Sequence, residues 1–180
     1  PMQVVLKGLG ADPETLLISP SGADPLLFHG AKPASVSPRF LAVGRLVAKK
    51  GPLQTLEAFA RMRDSLPESL QQDVSLDIVG DGPLRRDLER AVKQRGLVEQ
   101  VALLGALPQR QIVERMRLAR GFVQHSLVAP DGDSEGNPVA VMEAQLCGLP
   151  VVATRHAGIP EVVLEEETGL LVDEGDVDGM

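Results

Sequence analysis

The chain has 180 residues, one cysteine and a net charge of −7 from 18 basic and 25 acidic side chains. That length fits one domain with a core large enough to need neither disulfide nor metal, and a lone Cys147 forms no internal bridge, which points to a reducing, cytoplasmic setting. The acidic balance argues against broad nucleic-acid binding. Four Phe with no Trp or Tyr argue against base-stacking platforms. No apolar run approaches the roughly 18 residues of a membrane span, and 43% hydrophobic residues exclude disorder.

In chain order, the apolar runs Leu16–Ser19, Phe40–Val43, Leu76–Val79, Val101–Leu104, Phe122–His125, Val151–Thr154 and Leu170–Val172 predict strands. They are continuous in Val, Ile and Leu rather than alternating, as strands buried on both faces are. Helical patterns lie between them at Pro52–Leu66, with Leu53, Leu56, Phe59 and Met62 on one stripe, and at Pro83–Arg95, Arg110–Ala119 and Pro138–Cys147. Pro52, Pro83 and Pro138 suit first helical positions, with Gly51, Gly82 and Asn137 before them as caps. Gly96 and Gly148 suit helix ends. Gly30–Pro38 reads as a loop. The alternation predicts a doubly wound α/β domain, a Rossmann-like parallel sheet covered on both faces. The chain begins on Pro1 and ends at Met180 where another helix would start, so it is expected to be a piece of a longer protein.

Ligands of an open parallel sheet bind beyond the carboxyl ends of its strands. After Phe40–Val43 comes Gly44-Arg45-Leu46-Val47-Ala48-Lys49-Lys50-Gly51, in which Arg45 offers a fork and Lys50 a point charge to a phosphate or diphosphate. The plain alternative is two solvated cations. After Phe122–His125 comes a long acidic loop, Ser126 to Asn137, and loops of that length inside compact domains are usually functional. The helix Pro138–Cys147 (PVAVMEAQLC) is apolar nearly all round and is expected to be buried. Its one carboxylate, Glu143, must then be paired, hydrogen-bonded or neutral. The free amides at its start form an anion site, and Glu143 stands about five residues on, roughly 7.5 Å along the axis. A phosphate at the helix end and a hydroxylated ring beside Glu143 fit that span. Glu135, eight residues before Glu143, is a poor phosphate ligand but a good acceptor for sugar hydroxyls.

Other features read more simply. Gly80-Asp81-Gly82 lacks the third glycine of a dinucleotide fingerprint and reads as a helix-entry turn. Asp131-Gly132-Asp133 reads as solvated loop, the basic stretch Arg110–Arg120 as a solvated face, His156 as solvent-facing, His125 as a neutral hydrogen-bonded core residue, and Cys147 as packing.

Taken together, the ordered motifs resemble the C-terminal, donor-binding domain of GT-B glycosyltransferases of the retaining family 4 type. The likeness runs from about Thr15 to Asp178, through Phe40–Gly51 (FLAVGRLVAKKG), Glu135–Pro150 (EGNPVAVMEAQLCGLP, with its Glu-x7-Glu spacing), Val151–Glu161 (VVATRHAGIPE) and Thr168–Val172 (TGLLV). Gly132–Gly136 and Arg155–Pro160 are most similar to enzymes of exopolysaccharide assembly of the colanic-acid type.

The resemblance implies that Arg45 and Lys50 hold a donor diphosphate, with Gly44 beside them. It implies that Glu143 binds ribose hydroxyls and that Glu135 touches the transferred sugar. Gly136, Asn137 and Val139 would face sugar or phosphate, and Leu104 and Gly105 the base. It also implies transfer from a nucleoside diphosphate sugar with retention, with Arg45, Lys50 and Glu135 as the catalytic set and no metal or other cofactor. The family's usual Gly-Phe-Gly-type turn is here Gly136-Asn137-Pro138, and proline has no amide to donate. A glycan or lipid-linked acceptor would be held by an N-terminal domain outside residues 1–180, as would further C-terminal helices, so the fragment should bind donor weakly and catalyse nothing. The full enzyme would be cytoplasmic, with peripheral association at the inner face of the membrane, and would not take nucleic acid as partner. Two rival readings are a nucleotide-binding module without chemistry and a sugar-nucleotide epimerase of the same architecture. A phosphoacceptor receiver is disfavoured because Asp77 lies inside a strand and no acidic cluster accompanies it.

Overall fold

The structure, a computed structural model, describes residues 2–17 and 21–180. A six-stranded sheet is formed by β1 (Arg39–Val43), β2 (Ser75–Val79), β3 (Val101–Gly105), β4 (Gly121–Gln124), β5 (Val151–Thr154) and β6 (Gly169–Val172). The helices are α1 (Met2–Gly8), α2 (Pro52–Ser65), α3 (Glu68–Gln71), α4 (Arg85–Gln94), α5 (Gln109–Arg117), α6 (Val139–Cys147) and α7 (Ile159–Val162). Each predicted strand from Phe40 onward lies within a residue or two of an observed one. Leu16 and Leu17 lie in no strand, and the rest of Leu16–Ser19 is outside the described residues.

Every pairing is parallel, in the order β3-β2-β1-β4-β5-β6. The chain builds outward from β1 to β3, then crosses to the other side of β1 for β4. The switch point is therefore the cleft between the ends of β1 and β4, which pair through Phe40 with Gly121 and Leu41 with Phe122.

Strand alternation divides the core. Leu41, Phe122 and Val151 pack with Val113, Met116, Val141 and Cys147 on the α5–α6 side. Leu76 and Ile78 pack with Leu56, Phe59, Leu88 and Val92 on the α2–α4 side. Full burial of one such Leu or Phe stabilises the fold by about 1.5–3 kcal/mol.

Several expectations need correction. Pro83 does not open a helix, because α4 starts at Arg85, and Pro138 is the N-cap of α6 rather than its first residue. Nor is α6 buried all round: Val139 is 42% and Leu146 41% exposed, so apolar composition alone overstated its enclosure. The basic stretch around α5 is solvated as expected at Arg110, Arg117 and Arg120, which are exposed, yet its side chains also hold neighbouring segments. Arg115 Nη1 lies 3.2 Å from Asp77 in β2, Arg117 Nε donates to the His29 carbonyl at 2.9 Å, and Arg120 Nη2 to the Val36 carbonyl at 2.7 Å. Arg115 ties α5 to the sheet, and Arg117 and Arg120 fasten the segment before β1.

One backbone position sets the site. Gly51 caps α2 with φ 51° and ψ 44°, and a Cβ there would lie 1.8 Å from the His125 carbonyl oxygen. Only glycine lets the β1–α2 turn rest on the end of β4. Gly51→Ala should lower the urea unfolding midpoint, with a stability loss of about 2 kcal/mol or more.

Candidate functional site

The turn after β1 carries the cations. Lys49 and Lys50 close a short 3-10 turn, Ala48–Lys50, just before Gly51. The Lys49 carbonyl accepts the Leu127 amide at 3.0 Å, so this turn and the loop after β4 are joined through the backbone. Side chains complete the seam. Lys50 Nζ lies 2.9 Å from Glu135 Oε2, and Lys49 Nζ lies 3.0 Å from Asp133 Oδ1 and 4.0 Å from Glu135 Oε1. Lys49 Nζ also donates to the Ser134 carbonyl at 3.1 Å.

The inner pair is enclosed, with the Glu135 side chain 8% exposed against 54% for Asp133. Breaking a buried pair by removing one partner costs about 3–5 kcal/mol. The hydrogen bond from Lys49, reinforced by the positive charge of Lys49 and Arg45, holds the Asp133 carboxyl below the usual carboxylate range. Asp131-Gly132-Asp133 is thus exposed loop as expected, with Asp133 in addition ion-paired to Lys49.

Arg45 is exposed and, among the described residues, makes no ion pair. Together with Gly44, Leu46, Lys50, Thr55 and Gln124 it lines a shallow hollow at the ends of β1, β2 and β4. Glu135 Oε1 and Asn137 Oδ1 are buried acceptors without a hydrogen-bond donor among the described residues. Buried acceptors are normally satisfied, and these two adjoin the start of α6. There Pro138, as N-cap, supplies no amide, and Val139 and Ala140 present the unbonded N–H groups of the first turn. Val139 and Glu143 are four residues apart, about 6 Å along the axis.

Glu143 is half-buried in α6, with Gln109 at the start of α5 close enough to act on its carboxyl. Burial pushes the Glu143 carboxyl up, and the neighbouring Gln109 amide only partly offsets this. Leu104 and Gly105 end β3, half-buried, four residues ahead of Gln109. The predicted residues thus lie after β1 (Gly44, Arg45, Lys50), between β4 and α6 (Glu135, Gly136, Asn137), in α6 (Val139, Glu143) and at the end of β3 (Leu104, Gly105). Among the described residues no hydrogen bond or ion pair joins Glu143 directly to Arg45 or Lys50.

Sequence reasoning missed Lys49, which nothing distinguishes from Lys50 in the chain. It also misplaced His156, which is 2% exposed rather than solvent-facing. Its Nε2 lies 3.1 Å from both the Glu135 amide and the Ser134 hydroxyl, and its Nδ1 lies 2.5 Å from Glu174 Oε1. His125 is fully buried, its Nε2 accepting the Gly175 amide at 2.9 Å, and burial holds its basicity below the ordinary histidine value.

Comparison with known proteins follows the same outline. The family model of glycosyl transferases group 1 matches residues 30–180. The chain belongs to that family. WcaL of Salmonella typhimurium, named for colanic acid biosynthesis, is 34% identical over 97% of this chain and 42% of its own length. The amylovoran biosynthesis glycosyltransferase AmsK of Erwinia amylovora is 36% identical over 97% of this chain and 42% of its own length. The chain thus spans less than half the length of these relatives. HepE of Anabaena, solved in complex with UDP-glucose, shares the fold at a TM-score of 0.77 and 24% identity, across 98% of this chain and 49% of HepE. Among the described residues no helix is long and apolar enough to cross a membrane.

Because the folded state binds a proton at Glu143 more tightly than the unfolded chain does, that carboxyl favours folding below the ordinary glutamate range. The contribution is lost as pH rises through its raised value. Glu143→Gln should therefore raise the melting temperature at pH 7, and the gain should shrink when the comparison is repeated near pH 4.

Proposed function

We propose that this chain is the donor-binding half of a glycosyltransferase that takes a nucleoside diphosphate sugar and transfers the sugar with retention at the anomeric carbon. The observation that carries the reading is the meeting of Lys50 with Glu135 at the switch point, where Glu135 keeps a buried oxygen without a hydrogen-bond donor among the described residues. A cation beside an unsatisfied acceptor suits a ligand that presents a phosphate and a hydroxyl next to each other.

In this reading Arg45 and Lys50 receive the diphosphate, Glu135 accepts from hydroxyls of the transferred sugar, and the Val139 and Ala140 amides face the sugar or phosphate. Glu143 accepts from the ribose, and the end of β3 meets the base. As the glycosidic bond breaks, negative charge grows on the departing diphosphate. Arg45, Lys50 and the helix amides then bind it more strongly in the transition state than in the ground state, which accelerates the step. The two glutamates orient the donor and are not an acid–base pair for hydrolysis.

Family membership and the relatives named for exopolysaccharide synthesis favour this over a non-catalytic module or an epimerase. The relatives named for exopolysaccharide synthesis suit a glycan acceptor, and in this reading a glycan or lipid-linked acceptor is held by a domain beyond this chain in a cytoplasmic enzyme at the inner face of the membrane. Nucleic acid has no place in the reaction. The cations supply the counter-charge a metal would otherwise bring, so we assign the site no metal and no cofactor besides the donor.

A thermal-shift panel of UDP-glucose, GDP-mannose and ADP-glucose should stabilise the chain with one base preferred; no shift with any of them would overturn the reading. Titration of the preferred sugar nucleotide should show Arg45→Ala and Lys50→Ala weakening affinity by about tenfold or more, the scale of a hydrogen bond to a charged group. Asp131→Ala should leave it within about twofold. Adding EDTA to the same titration should leave the wild-type affinity unchanged, and a collapse of binding would show a metal requirement.

A further inference from the structure

We propose that His156 is a positioning residue for the sugar-contacting end of this site, with its ring fixing the backbone of Glu135 and Glu174 fixing the ring. The proposal rests on the reading of Glu135 as the contact to the transferred sugar.

The hydrogen-bond network defines the ring's state. A backbone amide can only donate, so the 3.1 Å contact from the Glu135 N–H requires an unprotonated Nε2. The Ser134 hydroxyl shares that lone pair at 3.1 Å. The proton then resides on Nδ1, where Glu174 Oε1 accepts it at 2.5 Å. Glu174 is itself oriented, because its Oε2 accepts the Val128 amide at 3.0 Å. Burial works to raise the Glu174 carboxyl, but the hydrogen bonds from His156 and Val128 outweigh it and leave it below the ordinary range.

The ring thereby joins three loops at the carboxyl edge of the sheet: the one after β5 that carries His156, the one after β4 that carries Ser134 and Glu135, and the one after β6 that carries Glu174. Residues 126–137 have no helix or strand of their own. Without tethers their conformational entropy would leave the Glu135 carboxylate spread over many positions. Lys50 holds that carboxylate from one side and His156 holds its backbone from the other, while the Gly158 amide holds the next carbonyl, Gly136, at 2.9 Å. A displacement of about 1 Å at a substrate-orienting group is enough to lose binding selectivity and rate. A ring bonded to the amide of that very residue therefore controls more than stability.

The test separates this role from a merely structural one by comparing each sugar nucleotide with its bare diphosphate. UDP-glucose and UDP, and GDP-mannose and GDP, are titrated calorimetrically into the wild-type chain and its variants, with unfolding midpoints recorded in parallel. His156→Ala should lose roughly three- to tenfold in sugar-nucleotide affinity, the scale of one net hydrogen bond, while bare diphosphate affinity stays within about twofold. His156→Gln, whose amide oxygen can accept the Glu135 N–H, should recover most of the loss. Glu174→Ala should reproduce part of it, and Glu174→Gln, which still accepts from Nδ1–H, little. If wild type binds the sugar nucleotides and His156→Ala and Glu174→Ala match it, or if every variant weakens sugar nucleotide and diphosphate equally, the positioning role is overturned and the functional reading stands. If wild type binds none of the four nucleotides, the functional reading itself fails and this proposal falls with it.

Discussion

The architecture of this domain depends on a backbone contact in which the turn after β1 lies against the end of β4. A glycine with φ 51° makes the approach sterically possible, and the Leu127 amide bonded to the Lys49 carbonyl holds it. The sheet topology brings two strand ends side by side at the switch point, but topology alone leaves an open cleft. The glycine contact closes it to the range in which lysine side chains on one loop reach carboxylates on the other. The lysine–carboxylate contacts of the site follow from that proximity.

The electrostatics then work in layers. Lys50 and Glu135 form an enclosed pair in which each ion needs the other, since desolvation alone would cost several kcal/mol per charge. Lys49 and Asp133 form a wetter pair outside it, of the kind worth about 1 kcal/mol or less. Arg45 stands apart from both, exposed and without an ion-pair partner among the described residues. An incoming diphosphate would meet a cation that is already free and a second that is shared with a carboxylate. The enclosed pair is thus satisfied within the protein, while Arg45 is left unpaired among the described residues.

Much of the fold was legible from sequence because parallel strands buried on both faces leave continuous apolar runs, and Val151–Thr154 was bounded to the residue. Helix entries were less readable. Pro83 and Pro138 both suit a first helical turn, yet the preceding backbone placed one before α4 and made the other a cap. The loops where Arg45, Lys50 and Glu135 sit could be named because strand ends are the general binding edge of such sheets, and Glu143 because it is the one carboxylate of an apolar helix. Which of two adjacent lysines meets Glu135 could not, since a 3-10 turn decides it. His156 escaped for a deeper reason: its partners are Ser134, Glu135 and Glu174, brought to it only by the pairing of β4, β5 and β6. Composition overstated the burial of α6 because apolar residues on a short helix do not require a neighbour on every side.

The difference in enclosure between the two lysine–carboxylate pairs bears on how the loop after β4 responds to ionic strength. Counterions reach Asp133, whose side chain is 54% exposed, far more readily than Glu135 at 8%. Concentrated salt would therefore loosen the outer rim of this loop first and leave its root clamped, so that the rim becomes supple while the carboxylate beneath keeps its place.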